Sequence, residues 1–300
     1  MSHGSGRSAA DRMTPEDWRR AGRRVRIGRH EVFVREEGEG DALLLLHGFP
    51  AGSWSWHRMW PDLARRFRVV APDLLGFGFS DKPAAGPYTI LAQADLVESL
   101  LDEIGIRRLH ILAHAYGDSV AQELIARREE RGLGPGILCV CFLNGGLFPE
   151  ANRLLPGQRL MLTGLGRVLA RLLPFPYPAF RRSFSRTFGP RTRPTEAEMR
   201  EFWGLFARAG GKRVVPLTLR YLRERVDHRD RWVGALRTTE VPLRLVIGPA
   251  DPISGGQAGR WRELLPERDV VMLSPGIAHQ PPLEAPREVL AAFLEFVGRG

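Results

Sequence analysis

Cysteine is scarce in this chain, whose 300 residues include only Cys139 and Cys141. The two lie two positions apart in a predicted strand and would point to the same face, as small buried side chains and not as a disulfide. Two cysteines also fall short of the ligand set of a structural zinc site. The sequence therefore predicts a reduced, cytoplasmic protein that binds no metal through cysteine.

Long apolar runs are also missing. No stretch approaches the roughly 18–20 residues that cross a bilayer, so no membrane span is predicted. Residues 1–14 are rich in Ser, Gly, Ala and Arg and lack the apolar stretch of a signal peptide. We therefore expect residues 1–21 to form a flexible N-terminal tail.

Lysine occurs only at Lys82 and Lys212, so the formal net charge of +10 comes almost entirely from arginine. The arginines are scattered, apart from one local cluster made of Arg181, Arg182, Arg186, Arg191 and Arg193. No basic module with interleaved aromatic residues accompanies this charge. We therefore expect no nucleic-acid partner.

Apolar runs and helical periodicity alternate along most of the chain. The predicted strands are 24–27, 31–35, 42–46, 68–71, 109–113, 136–143, 243–247 and 269–273, and the predicted helices are 56–67, 90–104, 118–130, 257–265 and 286–297. Regular alternation with short connections predicts an α/β fold with a doubly wound, mostly parallel sheet. The alternation stops near Phe148, and the next 80 or so residues have helical patches without clear strands, too long for a loop. We predict a core of 22–147 and 231–300 with an inserted helical cap at 148–230.

The most informative segment leads from the buried strand 109–113 into a helix. Small residues, Ala113 and Gly117, stand two positions either side of Ala115. This spacing is typical of a nucleophile elbow, a strained turn that lifts its central side chain above the sheet. Here that side chain is the methyl group of Ala115. Ser119 is an alternative nucleophile, but it falls one turn into the helix, and Asp118 suits the helix dipole instead.

Two further candidates follow later strands. Asp251 comes directly after strand 243–247, and His279 lies in the loop after strand 269–273. Ligands bind at the carboxyl ends of the strands in open α/β sheets, and the order nucleophile, acid, histidine is that of a hydrolytic triad. His279 would activate water while Asp251 fixes its tautomer and orientation.

The segment His47-Gly48-Phe49-Pro50 follows strand 42–46. Gly48 would let the backbone pass close to the site. The backbone N–H groups of Phe49 and Tyr116 would then form an oxyanion hole. His47 is expected to be a structural, hydrogen-bonded residue.

These motifs, with Asp73–Pro83, resemble the α/β hydrolases of the epoxide hydrolase and haloalkane dehalogenase group. The resemblance covers core and cap from about residue 24 to the end. In that family the elbow residue is an aspartate in a His-Asp-Tyr-Gly-Asp context, whereas this chain has His114-Ala115-Tyr116-Gly117-Asp118. An engineered Asp-to-Ala change and a natural pseudoenzyme both remain open as explanations.

The resemblance implies a two-step reaction without a cofactor, in which aspartate at 115 forms an alkyl-enzyme ester that activated water hydrolyses. Phe49 lacks a side-chain donor for halide, which disfavours dehalogenation and favours an epoxide hydrolase-like parent. The predicted cap offers Tyr221 and Tyr177 as proton donors and Trp203 and Phe206 as apolar lining. The chain as written would be inactive on a hydrophobic small-molecule substrate.

Two other classes of function remain open. One is a pseudoenzyme that binds a small molecule between cap and core, and the other is a cofactor-free lyase or ring-opening enzyme on the same scaffold. The sequence does not decide whether two copies form a homodimer.

Overall fold

A computed structural model describes residues 13–132, 134–163 and 175–298. Its centre is an eight-stranded sheet with the strand order β1-β2-β4-β3-β5-β6-β7-β8. The strands are β1 Arg23–Ile27, β2 His30–Glu37, β3 Ala42–Leu46, β4 Arg68–Pro72, β5 Arg108–His114, β6 Gly136–Leu143, β7 Leu243–Ile247 and β8 Asp269–Met272. β2 pairs antiparallel with β1 and β4, and all other neighbours are parallel.

Both faces of this sheet are covered. Leu44 and Leu46 of β3 belong to one apolar cluster, whereas Leu43 and Leu45 belong to a second. Successive strand residues point to opposite faces, so a continuous apolar run requires a core on each side. The predicted doubly wound α/β fold is confirmed.

Helices flank the sheet and fill the segment between β6 and β7. Those of the described residues are α1 Pro15–Arg20, α2 Trp60–Ala64, α3 Ile90–Glu103, α4 Tyr116–Arg131, α5 Pro156–Leu162, α6 Tyr177–Ser185, α7 Glu196–Ala207, α8 Gly211–Thr218, α9 Tyr221–Asp227, α10 Arg229–Thr238, α11 Gln257–Leu264, α12 Pro281–Glu284 and α13 Pro286–Val297. Short 3-10 turns occur at Ser53–Trp56, Pro149–Ala151 and Arg208–Gly210.

Residues 148–238 make up most of the segment between β6 and β7 and are here called the insert. The described residues of the insert form helices and no strands. Its last helix, α10, packs against α4, one of the helices that flank the sheet. Trp232 of α10 donates its indole N–H to Glu123 of α4 over 2.7 Å, and Arg231 also bonds Glu123. The domain boundaries at 147/148 and 230/231 remain predictions.

Two local predictions are wrong. Residues 13–21 are not a flexible tail, because Thr14 caps α1 and Trp18 is fully buried with its indole on the Ser53 hydroxyl at 3.0 Å. One aromatic anchor in so short a helix leaves no periodic signal. The continuous helix predicted at 56–67 is instead a 3-10 turn followed by α2, which begins beside Pro61.

Within the described ranges no helix combines the length and apolar character that crossing a membrane requires. Cys139 and Cys141 are buried free thiols. No three or more His, Cys, Asp or Glu side chains of these ranges are grouped so that they could hold a metal ion.

Gly117 is needed where α4 starts beneath β3. A Cβ at this position would lie 2.3 Å from the Leu46 carbonyl oxygen, which belongs to rigid strand backbone. We expect Gly117→Ala to lower the free energy of unfolding by about 1–3 kcal/mol through overpacking.

The matched control is Gly259→Ala in α11, where a new Cβ meets no atom within 4 Å. This change should raise stability by about 0.5–1 kcal/mol, because alanine is the better helix residue. Urea unfolding measures both effects. Equal effects of the two substitutions would contradict the close packing at Gly117.

Candidate active site

Ala115 sits at the turn between β5 and α4 with φ 52° and ψ −98°. Positive φ is uncommon for a residue with a Cβ, and such a conformation persists only where its surroundings impose it. The Ala115 N–H donates to the Leu143 carbonyl of β6 at 3.1 Å. On its other side the Ala115 carbonyl accepts a hydrogen bond of 2.7 Å from Arg225. The strained turn is therefore held from both sides.

Arg225 was missed in the sequence. It lies on α9 of the insert, and its side chain is buried against the elbow. Besides the Ala115 carbonyl, it donates to the Ser119 hydroxyl at 2.7 Å. This explains Ser119, whose hydroxyl points to a guanidinium inside the fold. A sequence signal existed: Arg225 stands four residues after Tyr221, on the same helical face.

His279 and Asp251 lie together as expected. The Nδ1 atom of His279 is 2.8 Å from Asp251 Oδ2, and the Ile253 N–H donates to Oδ1 at 2.7 Å. Burial opposes ionisation of Asp251, but His279 and the hydrogen bonds to the carboxylate outweigh it and lower its pKa below the usual value. Asp251 can therefore hold the Nδ1–H tautomer of His279, which leaves Nε2 free to accept a proton.

Asn144 is the second residue that sequence reasoning missed. It follows β6 with φ 49° and donates from Nδ2 to Asp251 Oδ2 at 2.7 Å and to the Ala278 carbonyl at 3.1 Å. Its Oδ1 accepts the Gly248 N–H at 2.9 Å. One buried amide thus joins the ends of β6 and β7 to the loop of His279.

The loop that carries His279 is tied to both the core and the insert. The His279 N–H donates to the Thr187 carbonyl of the insert at 2.9 Å. Its own carbonyl accepts the Nε2–H of His114 at 2.7 Å, with the two rings 5.6 Å apart. Burial lowers the pKa of His114 to about 3, so this residue is a neutral donor next to the elbow.

The loop after β3 closes against the elbow. A Cβ on Gly48 would lie 3.1 Å from the Ala115 methyl and 2.7 Å from His114 Nδ1, so only glycine fits there. Neither the Phe49 nor the Tyr116 N–H donates a hydrogen bond within the described part of the chain. His47 is structural: it donates from Nδ1 to Gly48 O at 2.9 Å and accepts the Leu74 N–H at Nε2.

Two of the four predicted binding residues of the insert lie at this site. Tyr221 is buried with its ring 4.8 Å from that of Tyr116 and under the Arg225 guanidinium. Within the described ranges no hydrogen bond joins the Tyr221 hydroxyl to another residue. The Phe206 ring is 6.3 Å from the Phe49 ring.

The other two are placed differently. Tyr177 donates its hydroxyl to Glu196 at 2.7 Å on the exposed side of the insert, so its expected orientation toward the elbow is wrong. Trp203 packs against Tyr177, Phe180 and Phe206 and is an insert-packing residue. Helical periodicity alone cannot show which face of an isolated helix meets the core.

The space beside Phe49 and Phe206 is almost closed. The cavity that they line with Val215 has a volume of about 10 Å³, which is roughly the space of one water. This cavity is therefore too small to hold a small-molecule substrate as it stands.

A family model described as the alpha/beta hydrolase fold matches residues 41–272. The chain belongs to the α/β-hydrolase fold family. It is 39% identical over 292 residues to the mesoderm-specific transcript protein of Mus musculus, covering 93% of this chain and 87% of that protein. It is 37% identical to the putative hydrolase LipZ of Mycobacterium tuberculosis, covering 94% and 97%.

A solved epoxide hydrolase, CorEH, superposes on this α/β-hydrolase fold with a TM-score of 0.73. The sequence identity is 21%, with 93% of this chain and 98% of that one covered. At this identity the match shows a shared fold. The predicted membership of the α/β-hydrolase family is confirmed.

Asp118, in the first turn of α4, is fully buried, and neither carboxylate oxygen has a hydrogen-bond partner among the described residues. Burial raises its pKa well above the ordinary 3.8, with Arg225 partly opposing the shift. The folded protein therefore holds this proton more tightly than the unfolded chain does. Its contribution to stability is complete below pH 3.8 and is lost as pH rises through the folded pKa.

The parent chain should lose stability as pH rises from about 4 to 8, whereas Asp118→Asn has no proton to release at this position. We therefore expect the free energy of unfolding of Asp118→Asn minus that of the parent chain to increase over this pH range. Urea unfolding at four pH values measures the difference. The exposed Asp102→Asn serves as the control and should show no such gain. A difference independent of pH for Asp118→Asn would contradict a protonated, buried Asp118.

Proposed function

We propose that the parent of this chain is a hydrolase with an aspartate nucleophile at position 115. It acts on a hydrophobic small molecule, in the manner of an epoxide hydrolase, and the chain as written lacks the nucleophile. The observation that carries this proposal is the retention of an unusual backbone at Ala115, φ 52°, beside an intact His279–Asp251 pair. A strained turn that presents a methyl group has no function of its own.

The proposed reaction has two steps. A carboxylate oxygen at 115 attacks an epoxide carbon; the new C–O bond forms as the ring C–O bond breaks, and the ring oxygen takes the Tyr221 proton. Water then adds to the ester carbonyl while His279 accepts its proton, and the amides of Phe49 and Tyr116 stabilise the oxyanion. Collapse releases the diol, with His279 returning the proton to the departing oxygen. The carboxylic acid left at 115 then gives up its proton and the Tyr221 phenolate takes one up, which restores both groups.

The electrostatics of the elbow support a carboxylate at 115. Arg225 is a buried cation bonded to the Ala115 carbonyl, and it forms no ion pair with any described carboxylate. Opposite charge within a few ångströms favours the ionised form of a carboxyl group. The Arg225 guanidinium would therefore favour the ionised, nucleophilic form of an aspartate at 115.

The surroundings of Tyr221 support its assignment as the proton donor. The residue is buried, and its ring lies 4.8 Å from that of Tyr116, which directly follows the elbow residue. Burial raises the pKa of Tyr221, although Arg225 opposes the shift, so the residue is a neutral phenol at physiological pH. A guanidinium over the ring stabilises the phenolate that would form when the proton is transferred.

We expect Ala115→Asp to turn over an epoxide panel at a rate roughly 10³-fold or more above that of the chain as written. In the double variant Ala115→Asp/His279→Gln the second step should stop. Intact mass spectrometry should then show the protein plus one epoxide, with no added water. The chain as written is the control.

If Ala115→Asp turned over no epoxide, haloalkane or lactone, the hydrolase proposal would be contradicted. A pseudoenzyme that binds a small molecule would then be the remaining explanation. A product without the mass of water would indicate a lyase or ring-opening enzyme instead. If the natural protein has aspartate at 115, Ala115 is an engineered residue; if it has alanine, the chain is a pseudoenzyme that retains its site.

In the Ala115→Asp background, Tyr221→Phe should slow epoxide opening by about 10²-fold or more, because the leaving oxygen loses its acid. Tyr177→Phe is the matched control and should leave the rate unchanged, since that hydroxyl is bonded to Glu196. Single-turnover ester formation is the measurement. If Tyr177→Phe slowed ester formation and Tyr221→Phe did not, Tyr221 would be excluded as the proton donor.

A further inference from the structure

A second concave site lies on the outer side of the insert, apart from the elbow. Its cavity of about 330 Å³ is lined by Arg181, Arg182, Arg186, Arg193, Glu196 and Met199, with two smaller contributors. We call it the arginine pocket. The sequence cluster at 181–193 thus supplies four guanidinium groups to one concavity, and the proposed hydrolase reaction uses none of them.

The charge of the arginine pocket is largely uncompensated. Arg181 pairs with Glu196 at 2.8 Å, but Glu196 also accepts from Arg200 at 3.2 Å and from the Tyr177 hydroxyl. Within the described ranges the side chains of Arg182, Arg186 and Arg193 have neither an ion-pair nor a hydrogen-bond partner. One shared carboxylate therefore faces four cations.

The backbone around the arginine pocket is fixed by its neighbours. Phe184 at the end of α6 is buried and packs on Phe202 of α7 at 5.1 Å. Thr187, next to Arg186, accepts the His279 N–H. Thr195 caps α7 directly after the Arg193-Pro194 step. These anchors hold the guanidinium-bearing residues around one space.

We propose that the arginine pocket binds a phosphate group, either of a soluble phosphate compound or of a phospholipid headgroup. Guanidinium forks match the oxygen geometry of phosphate and bond it in a bidentate manner. The volume falls at the lower end of small-molecule sites, enough for a phosphate with part of an attached group. The concavity is lined by no aromatic ring on which a nucleic-acid base could stack. This site is independent of the proposed hydrolase activity.

The test compares the full chain with Arg182→Gln/Arg186→Gln and with Arg237→Gln/Arg262→Gln. The second pair removes the same charge from exposed helical positions on α10 and α11 outside the pocket. Isothermal titration with pyrophosphate at 150 mM NaCl provides one arm. Co-sedimentation with phosphatidylglycerol vesicles, against phosphatidylcholine alone, provides the other. Equal thermal midpoints establish that all three proteins are folded.

We expect the pocket variant to weaken binding by about tenfold or more in Kd, since two charge-assisted hydrogen bonds are lost. The charge-matched control should bind like the parent chain. A pocket-specific loss with pyrophosphate identifies a soluble phosphate ligand, and a pocket-specific loss with vesicles alone identifies a lipid headgroup. No binding in either arm, or equal loss in both variants, would overturn the proposal, the latter because net charge would then explain the binding.

Discussion

The hydrogen bond between Arg225 and the Ala115 carbonyl links the insert to the central sheet of this protein. The strand–turn–helix element that carries the site belongs to the sheet, but its carbonyl is bonded by a side chain of the insert. The same guanidinium holds Ser119 and lies over the Tyr221 ring. Backbone strain, a buried cation and the candidate acid therefore meet at one group. Removing it would leave buried acceptors unpaired, which generally costs more than the net value of the bond itself.

The fold could be predicted from the sequence because its strands are marked by the most reliable pattern, continuous apolar runs that end in small or polar residues. β3, with five apolar residues in a row, and α13, with clear helical periodicity, appear where the sequence places them. Short elements could not be predicted in this way. The helix α1 depends on one tryptophan, and the break before α2 depends on local turn chemistry at Pro61.

The candidate site divides along similar lines. Asp251 and His279 could be found because each lies in the loop that follows a strand, and parallel strands end at the same edge. Asn144 also follows a strand, but its position in front of two glycines reads as an ordinary turn. Arg225 and Tyr177 were misjudged for another reason: both lie on insert helices, whose orientation depends on packing between elements distant in sequence. No local pattern reports that packing, so the sequence could name the aromatic residues but not their partners.

The insert contacts the loop that carries the candidate catalytic histidine. The backbone N–H of His279 is hydrogen-bonded to the Thr187 carbonyl. The position of the residue expected to activate water therefore depends on the insert as well as on the sheet. Phe206 of the same insert packs edge-on against Phe49, which follows β3 beside the elbow. The insert therefore contacts both the loop that carries His279 and the loop that follows β3. A change in the position of the insert would therefore also move the backbone of the residue that is expected to activate water.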